Sequence, residues 1–193
     1  MKDTTNLLLA GVGGQGILLA GDLVAELALG AQLDVKKSEV HGMAQRGGAV
    51  VSHVRFGRKV YSPVIVEGEA THLVAFEQME ALRWIHMLES GGTLIVNQQR
   101  IIPSGLTSYP EGVQEEIASR CPQAVFVNGA SLAEKAGNAR TTNIVLLGTL
   151  SRYLDFDRER WEHAIKRRVP ERWLSANLEA FRLGRGNGAA QPR

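Results

Sequence analysis

The chain has one cysteine in 193 residues, Cys121. A single thiol closes no internal disulfide and falls short of the four cysteines that an iron–sulfur cluster typically takes. With no histidine beside it, Cys121 is expected to be structural rather than a nucleophile. Aromatic residues are scarce, at 6 %. A large charge of one sign is also missing: the net charge is +2. The arginines between Arg158 and Arg172 alternate with Asp157, Glu159, Glu162 and Glu171, which describes a solvated helix face and not a nucleic-acid footprint. No apolar run reaches membrane-spanning length. The run Leu7–Leu9 is too short for a signal-peptide core, so a cytoplasmic location is expected.

What remains is an ordinary globular composition, 44 % hydrophobic and 22 % charged, in a length that suits one domain. Strand-like and helix-like segments alternate. Strands are expected at Asn6–Ala10, Ala31–Lys37, Ala49–Phe56, Thr71–Phe76, Thr93–Asn97 and Ala124–Asn128. Gly57-Arg58-Lys59 reads as a tight turn that returns the chain along Val60–Ser62, making a hairpin. Helices are expected over Gln15–Leu29, Glu77–Glu89, Glu111–Arg120, Ser131–Ala136, Thr142–Leu154, Arg158–Arg168 and Glu171–Leu183. Ser131 and Glu134 read as a capping box. This pattern predicts an α/β fold, three layers α/β/α, with a mixed, mostly parallel sheet that includes a β-hairpin. One domain is expected over 1–184, with a disordered tail over 185–193.

Two segments carry chemistry. The first is Gly11-Val12-Gly13-Gly14-Gln15-Gly16, between an apolar strand and a helix. Glycines let the backbone turn sharply and approach an anion, and the N–H groups that open the next helix point at it. Gly11, Gly13, Gly14, Gln15 and Gly16 are therefore the candidate phosphate or cofactor contacts. A tight crossover packed without a ligand is the competing reading. The second segment, Ser38 to Gly48, holds Glu39, His41, Gln45 and Arg46. Arg46 can clamp an anion bidentately and His41 can move a proton near neutral pH. A loop ordered by its own Glu39–Arg46 ion pair is the alternative. Both segments follow strands, so both are expected at one rim of the sheet, where open α/β sheets bind ligands.

Gly11–Gly16 together with Ser38-Glu-Val-His-Gly-Met-Ala-Gln-Arg-Gly-Gly48 resembles the gamma-type domain of 2-oxoacid:ferredoxin oxidoreductases, on the side of the small (beta) subunits of the indolepyruvate enzymes. The resemblance continues through Tyr61-Ser-Pro63, Glu67–Ala70, Gly91–Asn97, Asn143–Gly148 and Val169-Pro-Glu171. It implies oxidative decarboxylation of an aryl 2-oxoacid, with coenzyme A as co-substrate and electrons passed to ferredoxin. It further implies that thiamine diphosphate, magnesium and the iron–sulfur clusters sit in a large alpha subunit, and that this chain holds no cofactor alone. Glu39, His41, Gln45 and Arg46 then line the subunit junction or meet substrate. No nucleic acid and no membrane are expected as partners. Two rivals stay open: an NAD- or FAD-binding Rossmann oxidoreductase with Glu39 as the ribose-binding acid, and a non-catalytic docking subunit.

Overall fold

The computed structural model describes residues 4–42, 48–103 and 105–187. Six strands form one sheet in the order β2-β3-β1-β4-β5-β6. They are β1 (Thr4–Val12), β2 (Asp34–His41), β3 (Ala49–Gly57), β4 (Ala70–Ala75), β5 (Leu88–Asn97) and β6 (Val125–Val127). β1, β4, β5 and β6 pair in parallel, whereas β3 runs against both β1 and β2. All strands but β3 therefore end at the same rim.

Leu7, Leu8, Leu9 and Ala10 are all fully buried, because both faces of β1 are covered. That explains a continuous apolar run in place of alternation. Leu7 and Leu9 join a core with α1 (Ile17–Gly30), α5 (Thr142–Leu150), α6 (Arg158–Arg168) and α7 (Glu171–Gly186). Leu8 and Ala10 face a smaller core with α2 (Gln78–Trp84) and α3 (Val113–Arg120). The expected three layers and mixed sheet are present.

The hairpin is not where the sequence places it. β3 pairs with β2 through residues 42–48, and Val60–Ser62 forms no strand. Side chains there replace a ladder: Val60 N donates to Asp34 Oδ2 at 2.9 Å, and Arg55 Nη1 donates to the carbonyls of Ser62 and Val64. β2 also runs four residues past Lys37, to His41. Its polar, edge-strand composition hides it. The expected helix over 77–89 stops at Trp84, and β5 starts at Leu88, with Gly91 at φ +78°.

Helix ends shift as well. Asn128, not Ser131, caps α4 (Gly129–Lys135), its Oδ1 accepting from Ser131 N at 3.1 Å. α7 continues to Gly186, past the expected start of the tail. Its last turn is anchored on α5. A Cβ on Gly148 would stand 2.2 Å from the Phe181 carbonyl oxygen, and one on Gly184 would stand 2.0 Å from that of Val145. Arg185 Nη1 donates to Ser151 O and Oγ at 2.9 and 2.7 Å. Residues 188–193 lie outside the described residues.

Candidate functional site

The two sequence motifs meet. Val12 is opposite Ala49 in the ladder, and Gly13 N donates to Gly48 O at 2.8 Å. His41 is opposite Val50. The glycine turn and the end of the β2–β3 hairpin thus stand side by side at the rim formed by the carboxyl ends of β1, β2, β4 and β5. Gln45 and Arg46 lie outside the described residues.

The glycines are required for different reasons. A Cβ on Gly11 would meet Phe76 Cβ at 2.7 Å and Gln15 Oε1 at 2.6 Å, so packing excludes it. Gly14 has φ +103° with open space above it. Gly16 has φ +78° and begins α1, and a Cβ there would reach 2.6 Å from Asn143 Nδ2. No side chain caps α1 and no acid sits in its first turn, so its leading N–H groups keep their partial positive charge at the rim.

Gln15 does not point outward. Its Oε1 accepts from Val12 N at 2.7 Å, and its Nε2 donates to Phe76 O and Gln99 Oε1, both at 3.0 Å. Asn97 Nδ2 donates to Phe76 O at 3.0 Å and Gln99 Oε1 at 3.3 Å, while Asn97 Oδ1 accepts from Gly129 N at 3.1 Å. These uncharged amides tie the ends of β1, β4 and β5 together beneath the turn. The side chain of Gln15 is thus a strap.

A polar cleft of about 610 Å³ opens over this lattice, lined among others by Gly14, Gly16, Gln99, Arg140, Thr142 and Asn143. Asn143 is 6 % exposed, and its Oδ1 accepts from Ile144 N. Its Nδ2 faces Gly16 and has no hydrogen-bond partner among the described residues. Arg140, exposed on a short 3-10 turn, has no carboxylate partner among the described residues. Helix N–H groups, a carboxamide donor and a guanidinium around one opening are groups that can receive an anion. On the opposite side of the turn lies a mainly apolar cleft of about 540 Å³ that includes Gly13, Ile17, Leu18, Leu19, His41 and Val50. Gln99 and Arg140 escaped the sequence reading. A run of amides directly after a strand, Asn97-Gln98-Gln99, was the available signal for the first. Nothing local marks Arg140.

Glu39 sits apart from the cleft. It pairs with Lys37, which also binds Asp22 of α1 at 2.5 Å. Burial works against the Lys37 ammonium, but the two carboxylates outweigh it and hold its pKa above the usual lysine value. β3 separates β2 from β1, putting Glu39 two strand spacings from β1, roughly 10 Å. A dinucleotide fold instead puts its second strand directly beside the first, in parallel. That geometry removes the Rossmann reading.

The other candidates are structural. His53 is buried, and its Nδ1 accepts from Ile65 N at 3.2 Å. Burial, aided by Arg55, lowers its pKa. His72 bridges Thr71 Oγ1 and the Tyr153 carbonyl, and burial lowers its pKa too. Cys121 is buried, and desolvation raises its thiol pKa. Trp161 is core, and Trp173 is partly exposed under Arg172. Among the described residues no group of three His, Cys, Asp or Glu side chains is placed to hold a metal ion, and no helix is long and apolar enough to cross a membrane.

A family model described as pyruvate ferredoxin/flavodoxin oxidoreductase matches residues 6–186. Indolepyruvate oxidoreductase subunit IorB of Thermococcus kodakarensis is 39 % identical over 191 residues, covering 93 % of each chain. The gamma subunit of a keto/oxoacid ferredoxin oxidoreductase from Geobacter sulfurreducens superposes with a TM-score of 0.74 at 26 % identity, covering 97 % of this chain and 99 % of that one. The 2-oxoglutarate:ferredoxin oxidoreductase of Magnetococcus marinus shares the fold, with a TM-score of 0.77 at 21 % identity, all of this chain matching 32 % of that one.

Proposed function

Because the chain belongs to the pyruvate ferredoxin/flavodoxin oxidoreductase family, we propose that it is the small subunit of an indolepyruvate-type (aryl 2-oxoacid):ferredoxin oxidoreductase whose rim completes the reaction chamber of a large alpha subunit. The overall reaction releases carbon dioxide from a 2-oxoacid, transfers the acyl group to the coenzyme A thiol and passes the electrons to ferredoxin.

The residues present do not suit the redox and carbon-chemistry groups. The one cysteine is buried, and the described residues hold no metal-binding trio. In this reading thiamine diphosphate, magnesium and the iron–sulfur clusters belong to the partner. The residues do suit an anionic co-substrate. The polar cleft receives a phosphate of coenzyme A, held by the leading N–H groups of α1, by Arg140 and by Asn143 Nδ2. Gly13, Gly14 and Gly16 let that phosphate approach the backbone, while Gln15 keeps the turn in shape from below. His41, at the end of β2, continues the same rim, and Gln45 and Arg46 are assigned to the partner or the substrate from their chemistry alone. Glu39 serves the rim indirectly, by fixing β2 to α1 through Lys37.

The observation that carries this reading is the Gly13–Gly48 hydrogen bond, which joins the two motifs at one rim beside the polar cleft. Co-expression with the large subunit tests it. Either subunit alone is expected to reduce no viologen dye with indolepyruvate and coenzyme A, and the reconstituted pair is expected to do so. Turnover by the large subunit alone at the rate of the pair would instead make this chain a docking subunit.

A further inference from the structure

The residue after Phe76 has a role the cleft alone does not reveal. Glu77 is 2 % exposed, and among the described residues no lysine or arginine forms a salt bridge with it. Such a carboxylate needs full hydrogen bonding to be tolerated. It has four donors. Oε2 accepts from Met79 N at 2.6 Å and Glu80 N at 3.2 Å, which caps α2. Oε1 is directed elsewhere: it accepts from Ile101 N at 3.2 Å and from the Tyr109 hydroxyl at 2.7 Å. A helix cap requires one oxygen only. The second oxygen ties down the chain that leaves β5.

That chain carries the cleft. Gln98 N donates to Val127 O at 2.8 Å, and Gln78 N donates to Gln99 O at 3.3 Å. Gln99 Oε1 in turn receives Gln15 and Asn97, and Gln15 Oε1 receives Val12 N at the mouth of the glycine turn. A continuous path thus runs from the Glu77 carboxylate through residues 99–101 to Gln15 and the turn. The phenol completes it: Tyr109 OH also accepts from Met79 N at 3.1 Å, and Arg100 lies over the Tyr109 ring at 5.7 Å. Ile102 and Leu106, between the two anchors, remain exposed.

We infer that Glu77, clasped to Tyr109, is a positioning residue for coenzyme A: it touches no ligand but fixes Gln99 and, through Gln15, the glycine turn that receives the phosphate. A carboxylate accepts at both oxygens, whereas glutamine would turn its N–H₂ group toward two of the four donors and leave at least one backbone N–H without an acceptor. The inference rests on the coenzyme A reading above.

The test uses the reconstituted two-subunit complex. Tyr109→Phe removes one hydroxyl and keeps the ring. It is expected to raise the KM for coenzyme A about fivefold, with a smaller change in kcat, and to speed amide exchange at Ile101 and at Val12–Gly16. Glu77→Gln is expected to do more of both. If Glu77→Gln fails to assemble, Tyr109→Phe decides alone. Wild-type KM together with wild-type exchange at Val12–Gly16 in Tyr109→Phe would overturn the positioning role. Arg140→Ala runs in parallel. If it leaves the KM for coenzyme A unmoved, the coenzyme A reading has failed, and exchange at Val12–Gly16 still decides whether the clasp positions the turn.

Discussion

Gly14 and Gly16 both have positive φ, yet they should respond differently to alanine. At Gly16 the left-handed backbone costs about 1–2 kcal/mol, and the added Cβ also meets Asn143 Nδ2. Gly16→Ala should lower the Tm of the isolated subunit by about 2–8 °C in a thermal melt. Gly14→Ala faces the same backbone strain without the collision, so its Tm should fall less. A larger fall for Gly14→Ala would mean that the turn is packed differently. The histidines make a second prediction at this scale. His53 and His72 have folded pKa values below the ordinary 6.5. The unfolded chain therefore takes up protons first as the pH falls. Their contribution to stability is complete above about pH 7.5 and is lost progressively below about pH 6.5. Urea midpoints measured from pH 7.5 to 5.0 should drop, and His53→Asn, which keeps an acceptor for Ile65 N, should flatten part of that drop. The sequence announced the glycines, because a positive φ and a close backbone approach both demand that residue. It did not announce Arg140, whose relevance arises only when the 3-10 turn before α5 folds back onto the start of α1.

Elements were legible where they are apolar on more than one side. β1 and β4 stand within two residues of their expected bounds, because burial on both faces leaves a mostly hydrophobic run, and α5 starts at Thr142 as expected but ends at Leu150, four residues early. α6 stands at its expected bounds, with Asp157 capping it and Pro170 after it. β2 was cut short because an edge strand pairs on one side and faces water on the other, so Ser38, Glu39 and His41 look like a loop. The hairpin was misassigned for the same reason: Gly57-Arg58-Lys59 has turn chemistry, but Asp34 and Arg55 hold the following segment with side chains in place of a ladder. Most of the site's surroundings were hidden in that way, by contacts between distant segments. The α5–α7 crossing offers the test at this scale. Gly184→Ala forces a Cβ into the Val145 carbonyl. Overpacking of this kind should cost about 1–3 kcal/mol or more. The urea midpoint should fall accordingly, whereas Gly186→Ala, with open space around it, should be nearly neutral. Equal effects at both positions would contradict the close crossing.

The whole molecule is a scaffold that brings the glycine turn and the end of β2 to one rim. Among the described residues, one face of its sheet packs against five helices and the other against two short helices and a connecting segment, with Tyr61, Val64 and Val66 exposed. Its rim carries donors that can receive an anion. The most direct measurement is steady-state kinetics of the reconstituted complex carrying Arg140→Ala, with coenzyme A varied at saturating 2-oxoacid. Loss of a guanidinium–phosphate contact should raise the KM for coenzyme A about tenfold or more, with kcat much less affected. An unchanged KM for coenzyme A would contradict the assignment of the polar cleft and, with it, the role given to this rim.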